Sequence, residues 1–145
     1  MKLSTFFLTI QIVLLTSCKP TIMKDDPSKL KSVLLDYFDG IKTNDLEKMN
    51  LNTTSDFLLF ESGKVWNNDS LWTNGQKYKE TRIDFRLYNF NITVDNESGH
   101  ITYFNHGDIY KQDSLTQTIE WIENATFKKL DGHWKIDFLQ STVRQ

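Results

Sequence analysis

Cysteine is almost missing from this chain. Cys18 stands alone, so no intrachain disulfide can form and the usual inference from cysteine spacing to redox compartment has nothing to act on. There is no glycine-rich loop to cradle phosphate, no His-Glu-x-x-His, and no Cys or His pair at zinc spacing, so nucleotide and structural-metal chemistry have no carrier and no cofactor is expected. The Gly-x-Ser-x-Gly elbow of serine hydrolases is absent too. A basic excess is also lacking. Seventeen Lys and Arg face 19 Asp and Glu for a formal charge of -2, which gives no broad positive field to hold phosphates and makes nucleic acid an unexpected partner.

No apolar run is long enough to span a bilayer comfortably. Leu3 to Leu15, interrupted by Ser4, Thr5, Thr9 and Gln11, falls short of the roughly 20 residues a spanning helix needs, but suits the apolar part of a cleaved leader behind Met1-Lys2. Leu15-Thr16-Ser17-Cys18 resembles a bacterial lipobox, in which the cysteine sulfur is acylated and the chain is cut before it. The expected organisation is a signal peptide over 1–17, a lipid-anchored tether over 18–27, and one domain over 28–145. Several acyl chains on Cys18 would anchor stably where one holds only reversibly. The expected location is the bacterial cell envelope, lipid-anchored, with the outer membrane favoured and no leaflet chosen. The domain is large enough to bury roughly two-thirds of the surface its unfolded chain exposes, so it needs no staple.

Asp26-Pro27 reads as a helix cap with proline at the first position. Leu30, Val33, Leu34, Tyr37, Phe38 and Ile41 follow at helical spacing and predict a core-facing amphipathic helix. Asn44 with Glu47 predicts a second capped helix, short, turning Leu46 and Met49 inward and ended by Thr53-Thr54-Ser55-Asp56. Phe57–Glu61 and Lys64–Trp66 flank Ser62-Gly63 as a small hairpin, and a third helix is expected from Leu71 to Lys79, with Gly75 as its weak point. From Arg82 the period becomes two. Ile83, Phe85 and Leu87 alternate on odd positions and Phe90, Ile92 and Val94 on even ones, so a β-bulge is expected near Tyr88-Asn89.

The closing hairpin organises the rest. Asp131-Gly132 between alternating apolar runs is a strong two-residue turn signal. With Leu130 opposite His133, Phe127 meets Ile136, Ala125 meets Phe138 and Glu123 meets Gln140, and the apolar residues share one face. Helices followed by four long antiparallel strands predict an α+β cone, its N-terminal helices packed in the concave face of a strongly curved sheet with a cavity where the two diverge.

Three stretches in this order, the N-terminal helix with Asn44-Asp45-Leu46, then Phe60–Trp66, then Ala125–Ile136, resemble the SnoaL-like branch of the nuclear transport factor 2 superfamily over roughly Ser28 to Thr142. The resemblance implies a cystatin-like cone whose relatives include isomerases, cyclases, dehydratases and transport adaptors, so fold leaves function open. In its enzymes, acids, histidines and tyrosines lining the cone do the chemistry. Glu123 is one candidate here: buried among Trp121 and Ala125 its carboxyl would hold its proton, while at a fraying strand it would meet only Gln140 or solvent. His106 and Asp108 share one strand face as a possible acid–base pair, or as a polar outer face. Tyr37, Trp66, Trp72, Tyr78 and Trp121 are candidate ligand contacts, with plain core packing the alternative. The leading expectation is non-catalytic binding of a small apolar ligand in the cone. Alternatives are an isomerase, dehydratase or cyclase using Glu123 or His106/Asp108, and a homodimer formed through the open sheet face.

Overall fold

A computed structural model describes residues 24–145. The expected leader and the acylation site Cys18 lie outside the described residues. Helix α1 runs Pro27–Thr43, its start capped by the Asp26 side chain, which accepts from the Ser28 N–H at 2.9 Å. Leu30, Leu34, Tyr37 and Phe38 are buried along one side, as their spacing requires. Each such side chain taken fully out of water contributes about 2 kcal/mol, whereas helix propensity varies by only about 1 kcal/mol among residues other than proline. Packing rather than propensity therefore holds α1.

The second cap differs from the expectation by one residue. Asn44 ends α1 in the left-handed region (φ 55°), which asparagine tolerates, and Asp45 caps α2 (Leu46–Leu51) by accepting from the Lys48 N–H at 2.9 Å. Thr53 to Asp56 do more than end that helix: they open strand β1 (Thr53–Glu61), which turns at Ser62-Gly63 into β2 (Lys64–Trp66). Helix α3 (Asn68–Gly75) starts with a capping box between Asn67 and Ser70 and gives way at Gly75 to a 3₁₀ turn, Gln76–Tyr78.

Four long strands follow, β3 (Thr81–Val94), β4 (Ser98–Lys111), β5 (Ser114–Leu130) and β6 (His133–Val143). They form one six-stranded sheet in the order β2-β1-β6-β5-β4-β3, antiparallel except where β1 runs parallel to β6. The expected α+β cone is thus present, a curved and mostly antiparallel sheet with the helices packed on its inner face. The bulge expected near Tyr88-Asn89 shifts the β3–β4 register there, with Asn89 at φ 54°.

A second bulge, in β6, corrects the closing hairpin. The turn at Asp131-Gly132 and the pairs Leu130–His133 and Phe127–Ile136 stand as expected, but Thr126 pairs with Phe138 and Ala125 with Leu139. Asp137 is the extra residue. It is held outward by Thr126, whose hydroxyl donates to it at 2.6 Å, and by Lys128 at 3.0 Å. Leu139, not Phe138, therefore enters the core, and Phe138 packs edge-on against Phe60 on the outer face. Two further contacts close the cone at its narrow end. Gly99 lies where a Cβ would collide with Leu30, so glycine lets α1 lie directly on β4. Asp25 bonds Lys129 at 2.6 Å, Lys29 at 2.7 Å and the Trp134 indole N–H at 3.0 Å, tying the entry of the chain to the β5–β6 turn. Lys129 first, then Lys29, holds the Asp25 carboxyl far below the usual carboxylate range.

Candidate functional site

At the opposite end of the strands the sheet and helices part around a cleft of about 900 Å³. Its floor is the start of β3 (Ile83, Phe85), the end of β4 (Ile109) and the start of β5 (Gln117); its roof is Ile41 of α1, Met49 of α2, Leu71 and Trp72 of α3, and Tyr78. Sequence places these groups in two ways. Inward positions of the strands alternate, and α3 is tied to the end of α1 because the Trp72 indole N–H donates to the Asn44 carbonyl at 3.0 Å. That bond fixes the ring as a wall.

Of the five aromatic residues suggested by sequence as ligand contacts, Trp72 and Tyr78 line the cleft. Tyr37 lies fully in the core, where its hydroxyl donates to the Asn68 amide oxygen at 3.2 Å; Trp66 packs partly buried against that core; Trp121 is buried beside Phe85. None of those three lines the cleft. The cavity thus sits where helices α1 to α3 converge on the strand ends rather than along the length of α1.

Glu123 points inward, as the hairpin parity requires, and is 5% exposed. Its partner is Ser141 instead of Gln140, because the β6 bulge moves every later residue by one: the Ser141 hydroxyl donates to Glu123 Oε1 at 2.7 Å. Asn105 donates to Oε2 at 3.3 Å from the neighbouring strand. Burial is the dominant influence and pushes the Glu123 carboxyl up to about 7, against the lowering effect of Ser141, Tyr103 and Asn105, with the half-buried Glu61 raising it further. The Tyr103 hydroxyl lies close enough to Glu123 to act on its charge, yet it makes no hydrogen bond among the described residues. It and Asn105 Oδ1 are buried polar atoms without a partner among the described residues. Glu123 does not line the cleft; Phe85 on the cleft floor packs on Trp121, and Trp121 pairs across the sheet with Asn105.

Tyr103, Asn105, Ser141 and Glu61 were not singled out from sequence. For Ser141 a signal exists: the step of three from Ile136 to Leu139, after alternation from Trp134, marks the bulge that turns it inward.

His106 and Asp108 share a face, and it is the outer one, opposite the inward Asn105 and Gly107. Glu120 on β5 joins them. His106 Nδ1 lies 2.5 Å from Glu120 Oε1 and Nε2 lies 3.0 Å from Asp108 Oδ1, so both ring nitrogens face carboxylates. Glu120 foremost, then Asp108, raises the imidazole above its ordinary pKa and favours imidazolium. Tyr88 and Thr118 donate to Glu120 and Asp108 at 2.9 and 2.8 Å, which leaves a satisfied ion cluster on the outer surface. Among the described residues no group of three or more His, Cys, Asp and Glu is arranged to hold a metal ion, and no helix is long and apolar enough to cross a membrane.

No protein-family model and no curated relative matches the sequence. Solved structures do. An NTF2-like protein from Cytophaga hutchinsonii superposes with a TM-score of 0.68 at 13% identity, over 83% of this chain and 99% of that one. A proposed Ca/calmodulin-dependent kinase II association domain from Exiguobacterium sibiricum gives 0.70 at 12% identity, over 85% and 98%. A proposed ketosteroid isomerase from Shewanella frigidimarina gives 0.64 at 15% identity, over 79% and 94%. At such identities the likeness is one of fold, and the fold is the NTF2-like cone.

Proposed function

We propose that this chain binds one small, largely apolar molecule in the cleft at the end of the cone, and does so at the bacterial envelope, held there by lipid on Cys18. The observation that carries the binding reading is the cleft itself. Its volume of about 900 Å³ lies within the range typical of small-molecule sites, and Ile41, Leu71, Trp72, Ile83, Phe85 and Ile109 give it apolar wall interleaved with polar side chains such as Asn44, Asn74 and Gln117. Titration with the dye anilinonaphthalene sulfonate tests it. The wild type should bind the dye with saturable, one-to-one fluorescence, and Gln117→Trp, which adds bulk at an exposed cleft position, should abolish that signal without changing the unfolding midpoint. Equal dye binding by both proteins would refute the site. Envelope anchoring rests on the lipobox resemblance, and Cys18→Ser should abolish incorporation of labelled palmitate into the protein, whereas equal labelling of both proteins would refute acylation at Cys18.

A second reading makes the cone an isomerase or dehydratase with Glu123 as its acid or base. It is favoured by the buried carboxyl whose pKa lies near neutrality, beside two polar atoms without partners, and the fold neighbour from Shewanella is described as an isomerase. Turnover lost in Glu123→Gln but kept in His106→Gln would support this reading; unchanged turnover in Glu123→Gln would end it. The outer sheet face, with Ile122 half exposed and Tyr88 stacked on Phe104, supports a homodimer. A strictly monomeric mass in light scattering at high concentration would exclude it.

A further inference from the structure

The cleft has a charge pattern the rest of the chain does not share. Acids outnumber bases in the sequence, 19 to 17, yet three lysines and no Asp or Glu line the cleft. Lys42, from the last turn of α1, is engaged outside it by Asp84 at 2.8 Å. Lys79 and Lys111 have no ion-pair partner among the described residues, and both stand beside Thr81 on the rim: Lys79 two residues before it, Lys111 opposite it in the β3–β4 ladder. Behind this rim Ile83, Ile109 and Phe85 on the sheet side and Trp72 opposite supply an apolar part of the wall. A neutral apolar ligand would leave the two ammonium groups unused; a cationic one would be repelled by them with no carboxylate on the wall to compensate.

Resting on the binding reading above, we infer that the ligand is an amphiphilic anion, an apolar chain or ring system ending in one carboxylate, with its body in the cleft and its acid group at the rim between Lys79 and Lys111. Both lysines are exposed, so their contribution is one of modest affinity and clear selectivity, screened by salt.

The test is isothermal titration of the full chain with dodecanoate and naphthoate, each beside its methyl ester and the amine of the same carbon skeleton, below any micelle-forming concentration. The expected result is one-to-one binding of at least one acid, roughly three- to tenfold tighter than its ester, with the amine weakest. That preference should shrink with added salt and vanish in Lys79→Ala/Lys111→Ala, while Lys79→Arg/Lys111→Arg keeps it. Ester and acid binding equally, or the amine binding best, would overturn the anionic ligand and leave the cleft reading intact. Binding of none of the six probes would overturn both.

Discussion

Replacing Glu123 by glutamine should stabilise the protein, and by an amount that depends on pH. Burial raises the Glu123 carboxyl from an ordinary 4.5 to about 7. A group shifted upward in the folded state contributes most below its unfolded pKa and loses that contribution as pH rises through the folded value. Below about pH 4.5 the carboxyl is protonated in both states and costs nothing extra; above about pH 7 the fold must hold a buried anion. One pKa unit corresponds to about 1.4 kcal/mol, so the cost reaches about 3 kcal/mol at alkaline pH. Glutamine removes this cost and keeps the contacts. Its carbonyl accepts from the Ser141 hydroxyl, and its amide donates to Asn105 once that side chain turns over, which it is free to do because Asn105 Oδ1 has no partner. Urea unfolding of both proteins between about pH 4.5 and 9 should show curves that meet at the acid end and separate by about 3 kcal/mol, glutamine the more stable, at the alkaline end. A constant difference across that span, or a glutamine variant weaker at every pH, would refute the buried, neutral-leaning carboxyl.

Other consequences are simpler to state. Gly107→Ala places a Cβ 2.6 Å from the Trp121 ring, so it should cost about 1–3 kcal/mol and change the near-ultraviolet circular dichroism; an unchanged spectrum would mean the indole does not lie over Gly107. Phe127→Ala, at a core position 1% exposed, should cost about 3–5 kcal/mol by denaturant titration, whereas Phe138→Ala on the outer face should cost clearly less; equal losses would contradict the β6 bulge. The raised His106 contributes stability that is present below its ordinary pKa and fades as pH rises through the folded value. His106→Gln should therefore fall further below the wild type at about pH 6 than at about pH 9, and Glu120→Gln should lower the imidazole pKa seen by NMR.

How much of this is readable without coordinates depends on how local each signal is. Helix α1 follows its own spacing and cap, and the Asp131-Gly132 and Ser62-Gly63 turns mark their hairpins, because each rule acts within a few residues. Parallel pairing of β1 with β6 joins segments some 80 residues apart in the chain and has no sequence period to announce it. The Asn44–Asp45 exchange turns on which residue takes the left-handed position, and both types suit a cap. At the site, parity places Glu123 inward, yet the partner it meets is hidden by the Asp137 bulge, and the cleft walls come from three helices, a 3₁₀ turn and three strands that only the folded chain assembles. His106 and Asp108 sit on one face in the strand pattern, but alternation alone does not say which face is outside.

Binding in the cleft is tested most directly by native mass spectrometry of the protein incubated with a total bacterial lipid extract and passed through a desalting column. The wild type should carry one bound molecule of a few hundred daltons, and Gln117→Trp should emerge bare. A wild type without adduct, or the same adduct on both proteins, would contradict it.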